Sequence, residues 1–271
     1  MKDKIQEQQL EYFILMGDII KSSQYTYNEL KIFRKIIDEV NAKFDLVSPL
    51  TITLGDEFQG IVKSLTQGVN IIFTIEERLI KNLYPFSFRY SLGFGEIITP
   101  INSKIAHGMY GEGLTKMRDL LEESKKDKRR RFDMLLPIKN FNNLFNNLFF
   151  IYQSFLDNWK EKDYKIIEQF YENKDYKEVA KKLGKGSDQI WKREKNLRIR
   201  EFFEMQDIIL KLTESYSKLH DSRNVFHEIL SELLWKTFKE SKDKKVFKDK
   251  LINEKLFNEK IEEVFSYLIP I

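Results

Sequence analysis

Two short motifs carry the residue types best suited to chemistry. Gly17-Asp18 follows the continuously apolar run Tyr12-Phe-Ile-Leu-Met16, and Gly55-Asp56 joins Leu50-Thr-Ile-Thr-Leu54 to Glu57-Phe-Gln-Gly-Ile-Val62. A run apolar at every position suits a central strand buried on both faces. Two β-rich runs meeting at Gly-Asp read as a hairpin. If the first strand lies beside the hairpin, Asp18 and Asp56 reach the same sheet edge. Two carboxylates held close repel each other, and a hard divalent cation relieves that repulsion. The sequence therefore predicts a Mg²⁺ (or Mn²⁺) site at Asp18 and Asp56. Lys21, Ser22 and Ser23 follow Asp18 and precede a helix, whose first amides are expected to cradle phosphate oxygens with those side chains as further donors. An N-cap at Asp18 and an ordinary turn at Asp56 fit the same spacing, so the motifs alone leave both readings open.

Composition narrows the alternatives. The 271-residue chain has no cysteine, which excludes disulfides, thiolate zinc sites and cysteine nucleophiles. Its three histidines, His107, His220 and His227, show no recognised metal spacing. Chemistry is left to carboxylates, hydroxyls, lysine, arginine and backbone groups. The apolar runs are far shorter than the ~20 residues of a membrane span, and the polar start has no signal-peptide core. A cytoplasmic, unprocessed protein is expected.

The elements that must position these residues divide the chain near residue 140. Before it, the order is strand, helix, hairpin, helix, strand, helix, which fits an α+β layer with helices on one face of a mainly antiparallel sheet. Gly93 and Gly95 are expected to end the strand that begins near Phe86. After residue 140 the pattern is helical almost throughout. The repeat Phe141-Asn-Asn-Leu-Phe-Asn-Asn-Leu-Phe149 suits a helix packed between domains. Residues 123–131 hold six basic side chains, a run that reads as a solvated surface.

A second pattern lies in residues 163–200. Ala180 and Gly184 allow two helices to meet at a tight turn, with Ser187 or Asp188 capping the second. Between Lys177 and Arg200 stand nine basic and three acidic residues, a local charge of +6 against +4 for the whole chain. A helix-turn-helix binding double-stranded DNA is the reading, with Gln189, Lys192 and Arg193 facing the groove and Val179, Leu183 and Ile190 in the core. A plain helical hairpin with a solvated basic face remains the alternative.

The segments Phe13-Ile-Leu-Met-Gly-Asp-Ile-Ile-Lys-Ser-Ser23, Ile52-Thr-Leu-Gly-Asp-Glu-Phe-Gln-Gly60, Arg89-Tyr-Ser-Leu-Gly-Phe-Gly-Glu-Ile97 and Tyr110-Gly-Glu-Gly-Leu-Thr-Lys-Met-Arg-Asp119 resemble the SatD family over roughly residues 10–200. The same segments resemble, more distantly, the palm domains of class III nucleotide cyclases and GGDEF cyclases. That resemblance implies a ferredoxin-like, cyclase-like palm domain. It also implies metal ligation at Asp18 and Asp56, a nucleotide ligand, phosphate contact by Arg118, and a homodimer. The cyclase pattern is incomplete, because no asparagine stands four residues before Arg118. The expected organisation is a palm domain at 1–140, a helix-turn-helix domain with its linker helix at 141–205, and a helical tail at 206–271. The functions that follow are a ligand-sensing DNA-binding regulator, an active Mg²⁺-dependent nucleotide cyclase, or an interaction module with degenerate sites.

Overall fold

The computed structural model describes residues 10–84 and 86–240, with side chains between 11 and 220. Residues 241–271 of the expected tail, and the side chains of His227 and Trp235, lie outside the described residues. Strand β1, Leu10–Ile19, is the predicted apolar run extended at both ends. Helix α1, Tyr27–Lys43, follows, opened by a capping box between Thr26 and Glu29, with Phe33, Ile36, Ile37 and Val40 buried at helical spacing. β2 (Ser48–Ile52) and β3 (Glu57–Val62) form the expected antiparallel hairpin, and Gly55 supplies the positive φ of 86° its turn needs. Then come α2 (Leu65–Lys81), β4 (Phe88–Ile97), α3 (Glu112–Asp127) and β5 (Phe132–Leu135).

The sheet order is β2-β3-β1-β4-β5, with β4 and β5 parallel and the other neighbours antiparallel. β1 is thus central. Its even-numbered residues Ile14 and Met16 pack with Met117 and Leu121 of α3. On the other face the rings of Phe58 and Phe88 pack at a tilt against Phe33 of α1, and Leu92 lies against Gly68 of α2. Helices therefore cover both faces, not one. The reason was present in β1 itself: a strand apolar at successive positions needs a cover on each side.

Two local expectations also change. β4 runs through Gly93 and Gly95 to Ile97. These glycines do not end the strand; they thin it where α3 crosses. A Cβ on Gly95 would lie 2.6 Å from Gly113 Cα, so the glycine pair sets how closely α3 approaches. β5 was hidden behind the basic run. Arg131 begins that strand's approach and is buried, not solvated.

The rest of the chain is helical: α4 (Lys139–Asn158), α5 (Glu161–Glu172), α6 (Tyr176–Leu183), α7 (Ser187–Leu197) and α8 (Ile199–Glu240). Phe149 of α4 stacks on Phe132 of β5 and meets Phe73 of α2, and Phe145 meets Tyr216 of α8. The described residues up to Ser217 form one compact unit, and a second begins at Lys218.

A buried ion pair joins sheet and helices. Arg131 Nη2 lies 3.0 Å from both carboxylate oxygens of Glu76 on α2, and its Nη1 lies 3.2 Å from Asp157 on α4. Tyr90 Oη donates to Glu76 at 2.8 Å, and Gln153 accepts from the Arg131 N–H. Burial first, and the Glu76 charge second, push the Tyr90 phenol well above its ordinary value, so it stays a donor. Arg131→Met leaves Glu76 buried without its cation and should cost about 3–5 kcal/mol in urea unfolding. Glu76→Gln combined with Arg131→Met should recover a large part of that loss. A double variant no more stable than Arg131→Met would mean that the charge pair is not what the single change removes.

Candidate functional site

Three strands bring charged side chains to one point on the α3 face. Asp18 of β1 is directly opposite Glu57 of β3 on one side and Arg89 of β4 on the other. Side chains opposite one another in an antiparallel pair share a face, so strand register alone assembles the three. Arg89 Nη1 lies 3.2 Å from Asp18 Oδ2. From above, in the last turn of α3, Lys125 Nζ donates to Glu57 and Glu122 at 2.8 Å each and lies 3.7 Å from Asp18 Oδ2. Asp18 is 3% exposed, and its second oxygen, Oδ1, is buried without a hydrogen-bond partner. A buried carboxylate oxygen left unpaired is unfavourable and is uncommon in native proteins.

Electrostatics follow from this arrangement. Desolvation raises the Asp18 carboxyl from 3.8 to about 6, although Lys125 and Arg89 both pull it down, while Glu57 and then Asp56 push it up. For Lys125, burial favours the neutral amine, but its bonds to Glu122 and Glu57 and the Asp18 charge outweigh burial and raise its value.

Asp18 and Asp56, the two predicted metal ligands, lie at the same sheet edge, and the Asp56 carbonyl accepts from the Ile19 N–H at 3.0 Å. The side chain that faces Asp18 across the ladder is nevertheless Glu57, because the pairing register places it there. Arg118 is exposed on α3, and its Nη2 is 3.5 Å from Gln59 Oε1, beside the β1 position of Met16 on the same face as Asp18. Lys21, Ser22 and Ser23 do not form a helix start. Lys21 has φ 57°, Ser22–Gln24 make a single 3-10 turn, and α1 begins later at Tyr27 with its first amides already capped. The expected amide cradle is therefore closed by the Thr26–Glu29 box.

Arg89 and Lys125 were not expected among the site residues. Arg89 had a legible signal: an arginine at an alternating position of Phe86-Ser-Phe-Arg-Tyr-Ser-Leu92. Lys125 lies two turns beyond Arg118, but the basic run concealed it. The donor set around Asp18 is all oxygen, with one orphaned buried atom, and so fits a hard cation in type. Among the described residues no group of three or more acidic or histidine side chains could hold a metal. Mg²⁺ commonly uses only one or two carboxylates.

The second region also took shape. α6 and α7 are joined through Gly184–Gly186, with Gly184 at φ 62° closing α6. Val179, Ala180 and Ile190 are buried, and Leu183 is half-buried. Gly186 occupies the N-cap of α7, so neither Ser187 nor Asp188 caps it. Gln189 and Lys192 are exposed. Arg193 is not a free groove-facing cation: it is half-buried and paired with Asp163 of α5, itself 4% exposed. The helical spacing of buried Ile190, Glu194 and Leu197 turns Lys192, Lys195 and Asn196 outward instead. Trp191 is 40% exposed with Lys195 over its ring.

A mixed five-stranded sheet with helices on both faces, carrying a buried carboxylate cluster at one edge and a small helical array after it, defines an α+β domain. The SatD family model matches residues 12–212, and the chain belongs to the SatD family. No curated protein matches it. Two solved structures of a bacterial light-regulated adenylyl cyclase are similar to it, each at 15% identity and a TM-score of 0.36. They cover 47% and 48% of this chain, and the chain covers 76% and 44% of theirs. A likeness of that size says nothing of activity. Among the described residues no helix is long and apolar enough to cross a membrane.

The raised Asp18 value has a direction that can be tested in the presence of a chelator. A carboxyl held higher in the folded state than in the unfolded one favours folding when protonated. Its contribution is present below pH 3.8 and is lost as the pH rises through about 6. Asp18→Asn removes that titration. Its urea midpoint, relative to the wild type, should be higher at pH 7.5 than at pH 4.5; an unchanged difference would show that Asp18 ionises normally.

Proposed function

We propose that this SatD-family protein is a cytoplasmic, homodimeric regulator that binds double-stranded DNA through α6 and α7 and a nucleotide or Mg²⁺-phosphate ligand at the Asp18 cluster. The observation that carries the DNA reading is the set of lysines left over after local pairing. Arg193, Lys182 and Arg200 are engaged with Asp163, Glu172 and Glu194. Lys177, Lys181, Lys185 and Lys192 are exposed and stand outside those pairs. Binding to phosphates needs such cations, and a short second helix following a glycine turn is of a size to enter the major groove. Lys192 is the groove-facing cation of this reading and Gln189 its flank. Leu144 and Ile151, exposed two turns apart on α4, support a contact between copies.

The ligand reading rests on the orphaned Asp18 oxygen. Asp18 and Asp56 would hold a Mg²⁺ or Mn²⁺ ion with Glu57 beside them, and Arg118 and Lys21 would contact phosphate. A bound cation there would neutralise phosphate charge and orient the ligand. Arg89, 3.2 Å from Asp18 Oδ2 and mostly buried, fixes the Asp18 carboxylate in place.

Lys181→Glu with Lys192→Glu should weaken duplex binding and reduce the slope of log K against log salt by about 0.9 for each phosphate that is no longer neutralised. Fluorescence anisotropy across a salt series measures this, and unchanged binding would remove the assigned role. For the ligand, thermal unfolding of the wild type should shift upward with nucleoside triphosphate plus Mg²⁺. The shift should be lost in Asp18→Asn and Asp56→Asn; an equal shift in both variants would place the ligand elsewhere.

A further inference from the structure

Lys125 bridges Glu57 and Glu122 at 2.8 Å and reaches within 3.7 Å of Asp18. An ammonium in that position stands where a cation would neutralise Asp18 and Glu57 together. Yet the neutralisation is one-sided: both cations near Asp18 approach Oδ2, while Oδ1 is buried and unpartnered on a side chain 4% exposed. A permanent structural ion pair would be expected to satisfy both oxygens. The arrangement is that of a carboxylate with one coordination position still open.

Resting on the metal reading of the Asp18 cluster, we infer that Lys125 is the resident cation of that site and sets its affinity: a divalent ion of the Mg²⁺ class binds at Asp18 and Asp56, with Glu57 beside them, only by displacing the Lys125 ammonium. Three features suit the side chain to leaving. It is partly exposed, at 29%, so water receives it. It sits in the last turn of α3, and its remaining partner, Glu122, is on the same helix and half exposed. Its long unbranched stem swings without moving the backbone. Arg89 is the contrasting case. It is only 13% exposed and belongs to a central strand, so it stays on Asp18 whichever cation occupies the site. Once displaced, Lys125 stands at the rim as a donor for a phosphate group brought in with the metal.

The probe is Mn²⁺ alone, titrated against wild type, Lys125→Gln, Lys125→Arg and Asp18→Asn/Lys125→Gln, with free Mn²⁺ read by electron paramagnetic resonance. Removing a like charge from hydrogen-bond reach of the ligand carboxylates should tighten Mn²⁺ at least about tenfold in Lys125→Gln. Lys125→Arg should stay as weak as wild type, and the double variant should lose the site. A measurement on the wild type alone covers the case in which Lys125→Gln does not fold. Brief acetic anhydride labelling, read by mass spectrometry, should modify Lys125 slowly without metal and faster at saturating Mn²⁺, with exposed Lys192 unchanged. Equal Mn²⁺ affinity in wild type and Lys125→Gln, abolished in Asp18→Asn/Lys125→Gln, would overturn the role of Lys125 and leave the metal site standing. So would bound Mn²⁺ with unaltered Lys125 labelling. No Mn²⁺ binding by wild type or Lys125→Gln, with or without nucleoside triphosphate, would overturn the metal reading itself.

Discussion

A central strand that must be covered on both faces governs this structure. β1 lies between β3 and β4 and is buried from Ile14 to Ile19. Its two faces demand two layers, so α1 and α2 occupy one and α3 the other. Asp18 stands near the end of that strand and is 3% exposed, almost wholly shielded from bulk water. Its burial follows from where β1 sits and is not a local preference of aspartate. The charged groups in the neighbourhood answer that burial: Arg89 from the next strand, Glu57 from the hairpin, and Lys125 from the helix above.

The basic run in residues 123–131 shows how far charge can be from surface decoration. Its first lysine, Lys125, bridges the carboxylate cluster on the α3 face. Its last arginine, Arg131, crosses to the α2 side and meets Glu76 and Asp157. These two ends clamp the short β5 and the end of α3 to the sheet from opposite faces. Between them Arg129 remains exposed and pairs with Asp127. Runs of like charge are commonly solvated, but a turn entering a buried strand brings its flanking residues inward with it.

The helical region obeys the same logic on a smaller scale. Asp163 is buried at the start of α5, and Arg193 turns inward to meet it. That pair and the bond from the Trp159 indole to the Leu197 carbonyl hold α7 against α4 and α5. The helix therefore presents a defined outer surface, with Lys192 and Lys195 on it and Arg193 beneath.

The central strand, the hairpin at Gly55-Asp56, the helical spacing of α1, the phenylalanine stripe of α4 and the glycine turn between α6 and α7 were all legible in the sequence, because each is written in periodicity or turn chemistry over a few adjacent residues. Asp18 was legible as the residue that ends a buried run. Glu57 as its partner, Arg89 and Lys125 as its cations, Gly95 and Gly113 as a crossing point, and Arg193 as an inward ion pair were not. Each depends on which residues two distant segments place opposite one another, and strand register and helix docking decide that. A shift of one residue in the β1–β3 pairing would exchange one face for the other and put a different side chain across from Asp18. Local sequence determined which chemical groups stand at the strand end. Only the tertiary structure decided which charge each of them meets, because a buried charge is defined by its nearest partner in space.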